Sequence, residues 1–463
     1  MQRHLRIDAF RRYSNQVSMP ACNFSPKEYE GPTPESLSKI RKNRLNPALA
    51  TYYSKPLVLH QGHKQWLFDV DGRRYLDMFG GICTVSVGHC HPKITEAVTK
   101  QISTLGHVSN VYVHAKIHEY AEKLTDKLPG DLKVVYFVNS GSEANDLAIL
   151  LARLYTGNFE IISLRNGYHG MTCQVMSLTA NSAYRYPVPQ ASGFSYAMNP
   201  DVYRGLWGGG ACRDGPVQTK RECSCERGQC SAGRNYLEQL EEVYRYNIPK
   251  GKAAAFFAES IQGVGGTVQY PKNYLKGAYD MIKNNNGLFV ADEMHGIVPD
   301  IVTMAKGIGN GFPLAAVVTT PTIAAALTKA QHFNTFGGNP VSSAVGIAVL
   351  DILEEEKLQE NAKLVGTRLL LELEKLRDRV PVIGDVRGKG LMIGVEMVSG
   401  NGSTEPLDSG LMMNFWDRLR ELGVIIGRAV LRKRVAYQTS YVRYQDDAVF
   451  TVNVIKKALE DIF

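Results

Sequence analysis

The sequence lacks several features that would assign it to a membrane, nucleic-acid-binding or fibrous class. No run approaches the roughly 18 apolar residues that a membrane-spanning helix needs. No long Lys/Arg run accompanies the formal net charge of +8, which is modest for 463 residues, so binding to nucleic acid or to a membrane surface has little support. No internal repeat or low-complexity segment is evident. A small anionic ligand remains compatible with this composition.

The chain also lacks a secretory leader, and this guides the interpretation of its eight cysteines. Without such a leader, a disulfide framework is not expected. Four cysteines are bunched in a Gly- and charge-rich insert, residues 208–233: Cys212, Cys223, Cys225 and Cys230. They could ligate zinc, but their spacing lacks the usual pair of C-x2-C knuckles. Free thiols in a surface loop are therefore the default prediction, and no metal site is assigned.

The first twenty residues are basic, with Arg3, Arg6, Arg11 and Arg12 against the single acid Asp8. They have no apolar core of secretory length. This composition is typical of a mitochondrial transit peptide and predicts a matrix location. A disordered basic leader is the alternative, because the apolar residues do not fall cleanly on one helical face.

With 44% hydrophobic and 21% charged residues, the chain is an ordinary globular protein with room for a large core and a second, smaller domain. Three short strands are predicted first, at Leu57–Leu59, Gln65–Val70 and Arg74–Met78. Longer helical patterns then alternate with apolar runs, which indicates a mainly parallel α/β sheet. The predicted sheet strands are Lys133–Val138, Glu160–Leu164, Ala253–Ala258, Leu288–Ala291 and Ile301–Ala305.

Two of these strands end next to charged residues that could share one chemistry. Asp292 follows the Leu288–Ala291 strand, and Lys306 follows the Ile301–Ala305 strand. Carboxyl ends of parallel strands are where open α/β sheets keep their ligands. A lysine that can form a Schiff base, beside an aspartate that can pair with a pyridine nitrogen, suits pyridoxal phosphate. The alternative for an isolated pair is a turn cap and a solvated lysine.

Other strand ends carry residues that suit a phosphorylated ring. Ser140-Gly141-Ser142 opens a helix whose free N–H groups could hold a phosphate, although serine is also a routine N-cap. Tyr168 could stack on a planar ring, or could be a packed loop aromatic. Thr335, in a Gly-rich loop, could donate its hydroxyl to phosphate or simply occupy a turn.

Taken together, these segments resemble the class III pyridoxal-phosphate aminotransferases, over about Leu49 to Glu396. The segments that carry the resemblance are Ser140-Gly141-Ser142-Glu143-Ala144-Asn145, Tyr168-His169-Gly170, Asp292-Glu293, Lys306-Gly307 and Thr335-Phe336-Gly337-Gly338-Asn339-Pro340. The resemblance implies an α/β fold of the type I pyridoxal-phosphate transferases, as a homodimer with active sites at the interface. It implies a large domain of mainly parallel sheet at residues 91–345. A smaller α+β domain would combine residues 30–90 with 346–463.

The resemblance also implies a role for each matching residue. Lys306 would bind the cofactor and shuttle the substrate proton, and Asp292 would bind the pyridine nitrogen. Tyr168 would stack on the ring. Gly141 and Ser142, with Thr335 of the partner subunit, would hold the phosphate. The implied reaction moves an amino group from alanine or a similar donor to glyoxylate or pyruvate.

Three departures from the family pattern lead to a second hypothesis. Only seven residues, 293–299, separate Asp292 from Asp300, where the family has a longer connector that includes a cofactor-contacting Gln. Ser260 replaces a proline, and the segment after Gly427 does not match, so no carboxylate-binding arginine is assigned. A parallel crossover usually needs about a dozen residues. The alternative function is therefore a catalytically impaired or inactive transaminase-derived isoform.

Overall fold

The computed structural model describes residues 17–48, 51–223, 225, 230–292, 297–400, 402–428 and 444–463. The basic segment predicted as a transit peptide lies almost entirely outside these residues. So do most of the short connector and the segment 429–443. Among the described residues, the structure contains no helix with the combined length and apolarity that a bilayer crossing requires.

Thirteen strands run through the described chain. They are β1 (Leu59–His63), β2 (Trp66–Asp69), β3 (Arg74–Asp77), β4 (Val134–Val138), β5 (Glu160–Leu164), β6 (Phe194–Ala197), β7 (Ala253–Glu259), β8 (Leu288–Asp292), β9 (Ile301–Met304), β10 (Ala315–Thr319), β11 (Ile383–Lys389), β12 (Met392–Met397) and β13 (Val424–Ile425).

Thirteen α-helices alternate with these strands in the same described ranges. They are α1 (Pro34–Arg44), α2 (Gly80–Cys83), α3 (Pro92–Thr104), α4 (Ala115–Asp126), α5 (Gly141–Thr156), α6 (Cys173–Leu178), α7 (Ser231–Tyr246), α8 (Tyr274–Asn284), α9 (Pro321–Ala324), α10 (Pro340–Glu355), α11 (Leu358–Arg377), α12 (Ser409–Glu421) and α13 (Gln445–Ile462). Short 3-10 helices lie at Ser182–Tyr184, Lys306–Gly309 and Ala325–Lys329.

The largest sheet has seven strands in the order β4-β10-β9-β8-β7-β5-β6. Its strands are parallel except β10, which is antiparallel to both β4 and β9. The predicted mainly parallel sheet is confirmed. Strand β10 was missed by the pattern analysis, because its run Ala315–Thr319 follows a Gly- and Pro-rich turn and precedes no long helix.

Helices cover both faces of this sheet. On one face, α5 packs Leu147 and Leu151 against Val290 of β8 and Ile301 of β9. On the other face, α7 and α8 cover β7 and β8, while α4 packs against Val302 of β9. Because helices bury both faces of these strands, the side chains that point to either face are apolar.

A second, four-stranded sheet has the order β1-β2-β3-β13. It therefore joins strands from the first part of the chain to a strand from the last part. Its core includes Trp66 and Leu76 with Leu369, Phe415 and Leu459 from α11, α12 and α13. The first strand begins at Leu59 rather than Leu57, and β3 pairs with β13 in parallel.

The short connector does not separate the strands that it joins. Asp292 of β8 aligns with Thr303 of β9 in parallel register. The Asp300 N–H donates to the Phe289 carbonyl at 3.0 Å, and its carboxylate accepts from the Phe289 N–H at 2.8 Å. Phe289 is only three residues before Asp292, so the chain returns about 10 Å, a distance that seven residues span easily.

The short connector also leaves no apolar face of these two strands uncovered. Phe289 and Val302 are 1% and 0% exposed. Their covering helices, α8 and α4, come from other parts of the chain rather than from a crossover between β8 and β9. The rule that parallel strands need a long connection assumes that the connection itself supplies the packed helix.

The cysteine-bearing insert is also different from its prediction. Cys212 is fully buried and packs with Tyr236 and Ala232 of α7. Its neighbour Arg213 is 1% exposed. The prediction of a simple surface loop is thus wrong for this part of the insert.

Candidate active site

The ends of β7, β8 and β9 bring polar side chains together at one edge of the large sheet. Asp292 is the centre of this group. His169 Nδ1 lies 3.1 Å from Asp292 Oδ2, and Asn145 Nδ2 donates to the same oxygen at 3.2 Å. The Thr303 hydroxyl lies 3.3 Å from Asp292 Oδ1 and 2.9 Å from Asn145 Oδ1. Both carboxylate oxygens are therefore contacted, by side chains from three different parts of the fold.

Asp292 is kept ionised in this setting. Burial alone would raise its pKa, but the hydrogen bond and charge of His169, together with the charge of Lys306 and the Asn145 amide, lower it below the ordinary value. The Asp292 side chain nevertheless keeps 23% of its surface exposed. An ionised carboxylate that is oriented and still partly exposed can pair with a cationic ring nitrogen.

Lys306 lies two residues beyond the end of β9, at the start of the 3-10 helix Lys306–Gly309. Its φ is 51°, in the left-handed region that a residue with a side chain rarely adopts. The Ser86 hydroxyl donates to the Gly307 carbonyl at 2.5 Å and so fixes the turn from outside the sheet. Strain of this kind is concentrated at functional sites.

Tyr168 reaches the same place from the end of β5. Its N–H donates to Glu259 Oε1 at 3.1 Å, and the Gly263 N–H donates to Glu259 Oε2 at 2.8 Å. Burial raises the pKa of Glu259 to about 7; the charge of His169 and the two N–H donors oppose this shift, while the charge of Asp292 adds to it. Glu259 thus positions the Tyr168 loop. The Tyr168 ring meets that of Tyr184 at a centroid distance of 4.8 Å.

A cavity of about 270 Å³ lies between the loop of Tyr168 and the residues that follow β13. Lys306 and Tyr168 line it, and so do Tyr52, Tyr184 and Arg428. The Arg428 guanidinium carbon lies 5.4 Å from the Tyr52 ring centroid and 5.0 Å from that of Trp416. Stacking of this kind orients a guanidinium. The cavity therefore presents an amine, aromatic rings and a cation to a small ligand.

The first turn of α5 forms a tight contact with the loop after Tyr168. The Ser140 hydroxyl accepts from the Glu143 N–H at 3.2 Å, which starts the helix. Ser142 Oγ accepts from the Met171 N–H at 3.1 Å. A Cβ at Gly170 would lie 2.4 Å from Ser142 Oγ, and the φ of Gly170 is 133°, so only glycine fits there. The helix start with Gly141 and Ser142 offers N–H groups that suit an anion.

Thr335 does not lie in the cavity of its own chain. It is exposed on the loop before α10, and its neighbour Asn334 donates to Glu143 of α5 at 3.1 Å. Asn139 in turn donates to Asn334 Oδ1 at 3.1 Å. The loop is thus anchored beside the helix start, with Thr335 on its outer side.

These residues fit pyridoxal phosphate. Asp292 is ionised and partly exposed, Lys306 and Tyr168 share one cavity, and the Gly170–Ser142 contact forms a close backbone approach beside a helix start. Such a set supplies partners for a pyridinium, an aldehyde carbon, a ring face and a phosphate.

Comparisons with known proteins agree with this geometry. The family model described as Aminotransferase class-III matches residues 49–459. The chain belongs to the class III aminotransferases. It is accordingly an enzyme of transamination that uses pyridoxal phosphate. Neither the sheet geometry nor these comparisons support the hypothesis of an inactive isoform.

Individual relatives make the similarity more specific. The chain is 47% identical over 459 residues to mitochondrial alanine–glyoxylate aminotransferase 2 of Homo sapiens, covering 95% of this chain and 89% of the relative. It is 44% identical over 456 residues to the mitochondrial alanine–glyoxylate aminotransferase 2 homolog 2 of Arabidopsis thaliana, with 95% and 90% coverage. These names support a mitochondrial location for the class III aminotransferase described here.

A solved structure is also similar across the fold. The PLP-bound amine transaminase from an uncultivated Pseudomonas species has a TM-score of 0.79 and 29% identity, with coverage of 91% of this chain and 99% of that chain. The predicted type I fold is confirmed by this likeness.

Four residues around this candidate site are not assigned a role by the sequence alone. His169, Asn145 and Glu259 lie within the quoted or adjacent segments, but only the folded sheet shows that they surround Asp292 and Tyr168. Arg428 follows the short apolar strand β13, a position where an arginine could have been noticed. It was left out because the segment after Gly427 does not match the family pattern.

Proposed function

We propose that this class III aminotransferase transfers an amino group from alanine, or a similar small amino donor, to glyoxylate or pyruvate. The cavity that holds Lys306 and Arg428 together carries this proposal. Small amino and keto acids share a carboxylate, and a guanidinium held by Tyr52 and Trp416 is a suitable partner for it. The names of the relatives support the same substrates.

When bound, pyridoxal phosphate supplies an electron sink for the carbanion character that develops at the substrate α-carbon. In this proposal, Lys306 Nζ binds the cofactor and moves the proton away from the α-carbon. Asp292 keeps the ring nitrogen protonated, with His169 and Asn145 orienting its carboxylate. Tyr168 covers one ring face, and Gly141 and Ser142 bind the phosphate at the start of α5.

Arg428 offers a direct test of the substrate class. We expect Arg428→Met to raise KM for alanine and glyoxylate by about 10- to 100-fold, because a charged hydrogen-bonded pair is lost. Turnover of a simple amine that has no carboxylate should change little. The matched control is Arg420→Met, since Arg420 stacks on Tyr53 at 5.1 Å instead. An equal loss with the amine would assign Arg428 a structural role.

We also propose a homodimer with Thr335 contributing to the phosphate site of the partner subunit. Apolar side chains support this: Val113, Tyr112 and Phe336 are 89%, 67% and 61% exposed. The His107 and Phe336 rings lie 5.5 Å apart, so the two segments form one surface. Light scattering should give a dimer mass, and Val113→Glu should shift it towards the monomer. A monomeric active wild type would contradict the proposal.

Two further assignments from the sequence belong to this proposal. Residues 1–20 would direct the chain to the mitochondrial matrix, and a reporter fused to them that stays cytosolic would contradict it. Residues 30–90 and 346–463 would form the smaller domain beside the large domain at 91–345. The shared core of Trp66, Leu369 and Phe415 supports this division. Hydrogen exchange should protect those two segments as one cooperative unit.

A further inference from the structure

The segment between β6 and α7 places several cysteine side chains together, and none of them lines the cavity of Lys306 and Tyr168. It runs from residue 198 to residue 230, and its described residues contain no helix or strand. Segments of this length without regular structure are uncommon in compact domains unless something else orders them. The buried Cys212 and its buried neighbour Arg213 show that this segment is packed into the protein.

Three thiols in this segment converge, and we call them the thiol cluster: Cys212, Cys225 and Cys230. Their sulfur atoms all lie within 4.8 Å of one another. The sulfurs of Cys212 and Cys225 are 3.9 Å apart. A zinc ion with Zn–S bonds of about 2.3 Å holds its tetrahedral sulfurs about 3.8 Å apart. The cluster therefore already has nearly the dimensions of three corners of such a site.

A fourth thiol lies beside the cluster. The Cys223 thiol interacts with that of Cys225. Its position depends on Gly209, where an added Cβ would lie 2.4 Å from Cys223 Sγ. The absence of a side chain at Gly209 therefore leaves room for the Cys223 thiol. Cys223 is exposed, so it can adjust its position when a metal binds.

Hydrogen-bond donors surround two of the three sulfurs of the thiol cluster, those of Cys225 and Cys230. The Ser231 N–H donates to Cys225 Sγ at 3.4 Å, and the Ser231 hydroxyl lies 3.1 Å from the same sulfur. Backbone N–H groups of Ala232 and Gly233, in the first turn of α7, interact with the Cys230 sulfur. N–H groups at a helix start stabilise negative charge. Metal-bound thiolates are oriented by hydrogen-bond donors of this kind.

We propose that Cys212, Cys225 and Cys230, with Cys223 as the fourth ligand, bind a structural Zn²⁺ ion that orders the insert between β6 and α7. Each thiol releases its proton to solvent when its sulfur binds the metal. Four thiolates around Zn²⁺ leave two negative charges, which the N–H donors at the start of α7 partly offset. A site closed by four protein ligands has no open position for catalysis, so the proposed role is structural.

The spacing of these cysteines does not match the common zinc-binding sequence motifs. Common zinc knuckles place ligand pairs two residues apart, whereas here Cys212 comes from a different part of the insert and is brought to the cluster by packing against α7. A disulfide between Cys212 and Cys225 is the competing outcome, because the two sulfurs are close enough to oxidise after a small movement.

Metal content of the full-length holoenzyme tests the proposal. After purification in reducing buffer, elemental analysis should find about one zinc ion per chain. Replacement by Co²⁺ should give the d–d absorption of tetrahedral thiolate cobalt at the red end of the visible, away from the absorption of pyridoxal phosphate. Cys230→Ser should reduce zinc to below about a tenth of an ion per chain. The matched control, Cys173→Ser, changes an exposed cysteine elsewhere and should keep the metal.

The cobalt spectrum of the wild-type protein keeps the test valid if a variant fails to fold. No zinc after reconstitution under reducing conditions, or a cobalt spectrum without thiolate features, would overturn the proposal. A Cys212–Cys225 disulfide found by mass spectrometry in freshly purified, unreduced protein would overturn it as well. None of these outcomes depends on the transaminase assay, so the substrate proposal and the metal proposal can fail separately.

Discussion

Two charged clusters in this protein are built from similar residues and differ in how they are closed. The first, which we call the open cluster, lies at the carboxyl ends of the sheet strands. There His169 and Asn145 orient Asp292, which remains partly exposed, and Lys306 lines a cavity. The second, which we call the closed cluster, lies between the insert and the β11–β12 hairpin. There Asp385 and Glu396 pair with arginines and are 0% exposed. The comparison shows that burial of charge alone does not mark a site. An oriented charge that remains partly exposed does.

Both carboxylates of the closed cluster are paired with arginines. Arg213 contacts both oxygens of Asp385, at 3.0 and 2.6 Å. Arg387 bridges Asp385 at 3.0 Å and Glu396 at 2.7 Å, and Arg204 reaches Glu396 at 2.5 Å. The charge of Arg213 keeps the pKa of Asp385 below its ordinary value in spite of burial. The cluster therefore fixes the insert to the hairpin.

The largest effect is expected at the open cluster. Lys306→Ala should lower kcat by about 10³-fold or more, because both the attachment of the cofactor and a proton transfer are lost. Its effect on the melting temperature should be small, since Lys306 is an exposed residue. Single-turnover measurements and borohydride trapping of the cofactor test this. Attachment of the cofactor to a different lysine would show that Lys306 is not the site.

A substitution in the closed cluster should instead lower the stability of the protein. Arg387→Met leaves Asp385 and Glu396 without a bridging cation in a dry interior, which should cost about 3–5 kcal/mol of unfolding free energy. Lys389→Met is the matched control on the same hairpin, because Lys389 is 49% exposed and pairs with Asp214 at 3.4 Å. It should cost below about 1 kcal/mol. Denaturant unfolding of both variants gives the two losses of unfolding free energy. Equal losses would contradict the distinction between the buried Arg387 and the exposed Lys389.

Sequence analysis predicted the open cluster better than the closed one, for physical reasons. Local signals fix strand ends and helix starts, so the meeting of Asp292, Lys306 and Tyr168 follows from the parallel order of their strands. Arg428 and the thiol cluster depend on long-range packing. Arg428 is oriented by Tyr52 and by Trp416 of α12, which are distant from it in sequence, so its position after β13 does not by itself predict that it lines the cavity.

The pH dependence of stability should also report on the open cluster, with a smaller effect than the two substitutions above. The folded-state pKa of Glu259 is about 7 against an ordinary value of 4.5, so the folded protein holds an extra proton between these values. The unfolded state binds fewer protons there, and this contribution to stability decreases as pH rises from about 4.5 to 7. Asp292 has the opposite sign: its lowered pKa gives stability above 3.8 that is lost as pH falls below that value.

The variant Glu259→Gln should therefore flatten the pH dependence of the free energy of unfolding between pH 5 and 7, by on the order of 2 kcal/mol across the window. Glu238→Gln changes an exposed glutamate of α7 and serves as the control. Parallel pH profiles of wild type and Glu259→Gln would contradict the assignment of the shift to Glu259.

The smallest effect concerns the seven residues that join the strand of Asp292 to the strand of Lys306. The structure places the return of the chain beside Phe289, where Asp300 makes two hydrogen bonds to the backbone of that residue and a third, at 2.8 Å, to Lys283. These contacts, together with helices from other parts of the chain, hold β8 and β9 in register. A longer connector adds none of them.

Insertion of seven Gly and Ser residues between Val298 and Pro299 should therefore cost only about 0.6 kcal/mol, the loop-closure entropy of doubling the connector length. Val298 is 48% exposed, so the insertion point faces solvent. The same insertion after Lys250, in the turn between α7 and β7, measures the general cost of added chain. Turnover should stay within a factor of about two, because Asp292 and Lys306 are held by the sheet rather than by the connector. If the insertion after Val298 instead raised the melting temperature and turnover together, while the insertion after Lys250 did not, the natural connector would be too short and the open cluster strained by it.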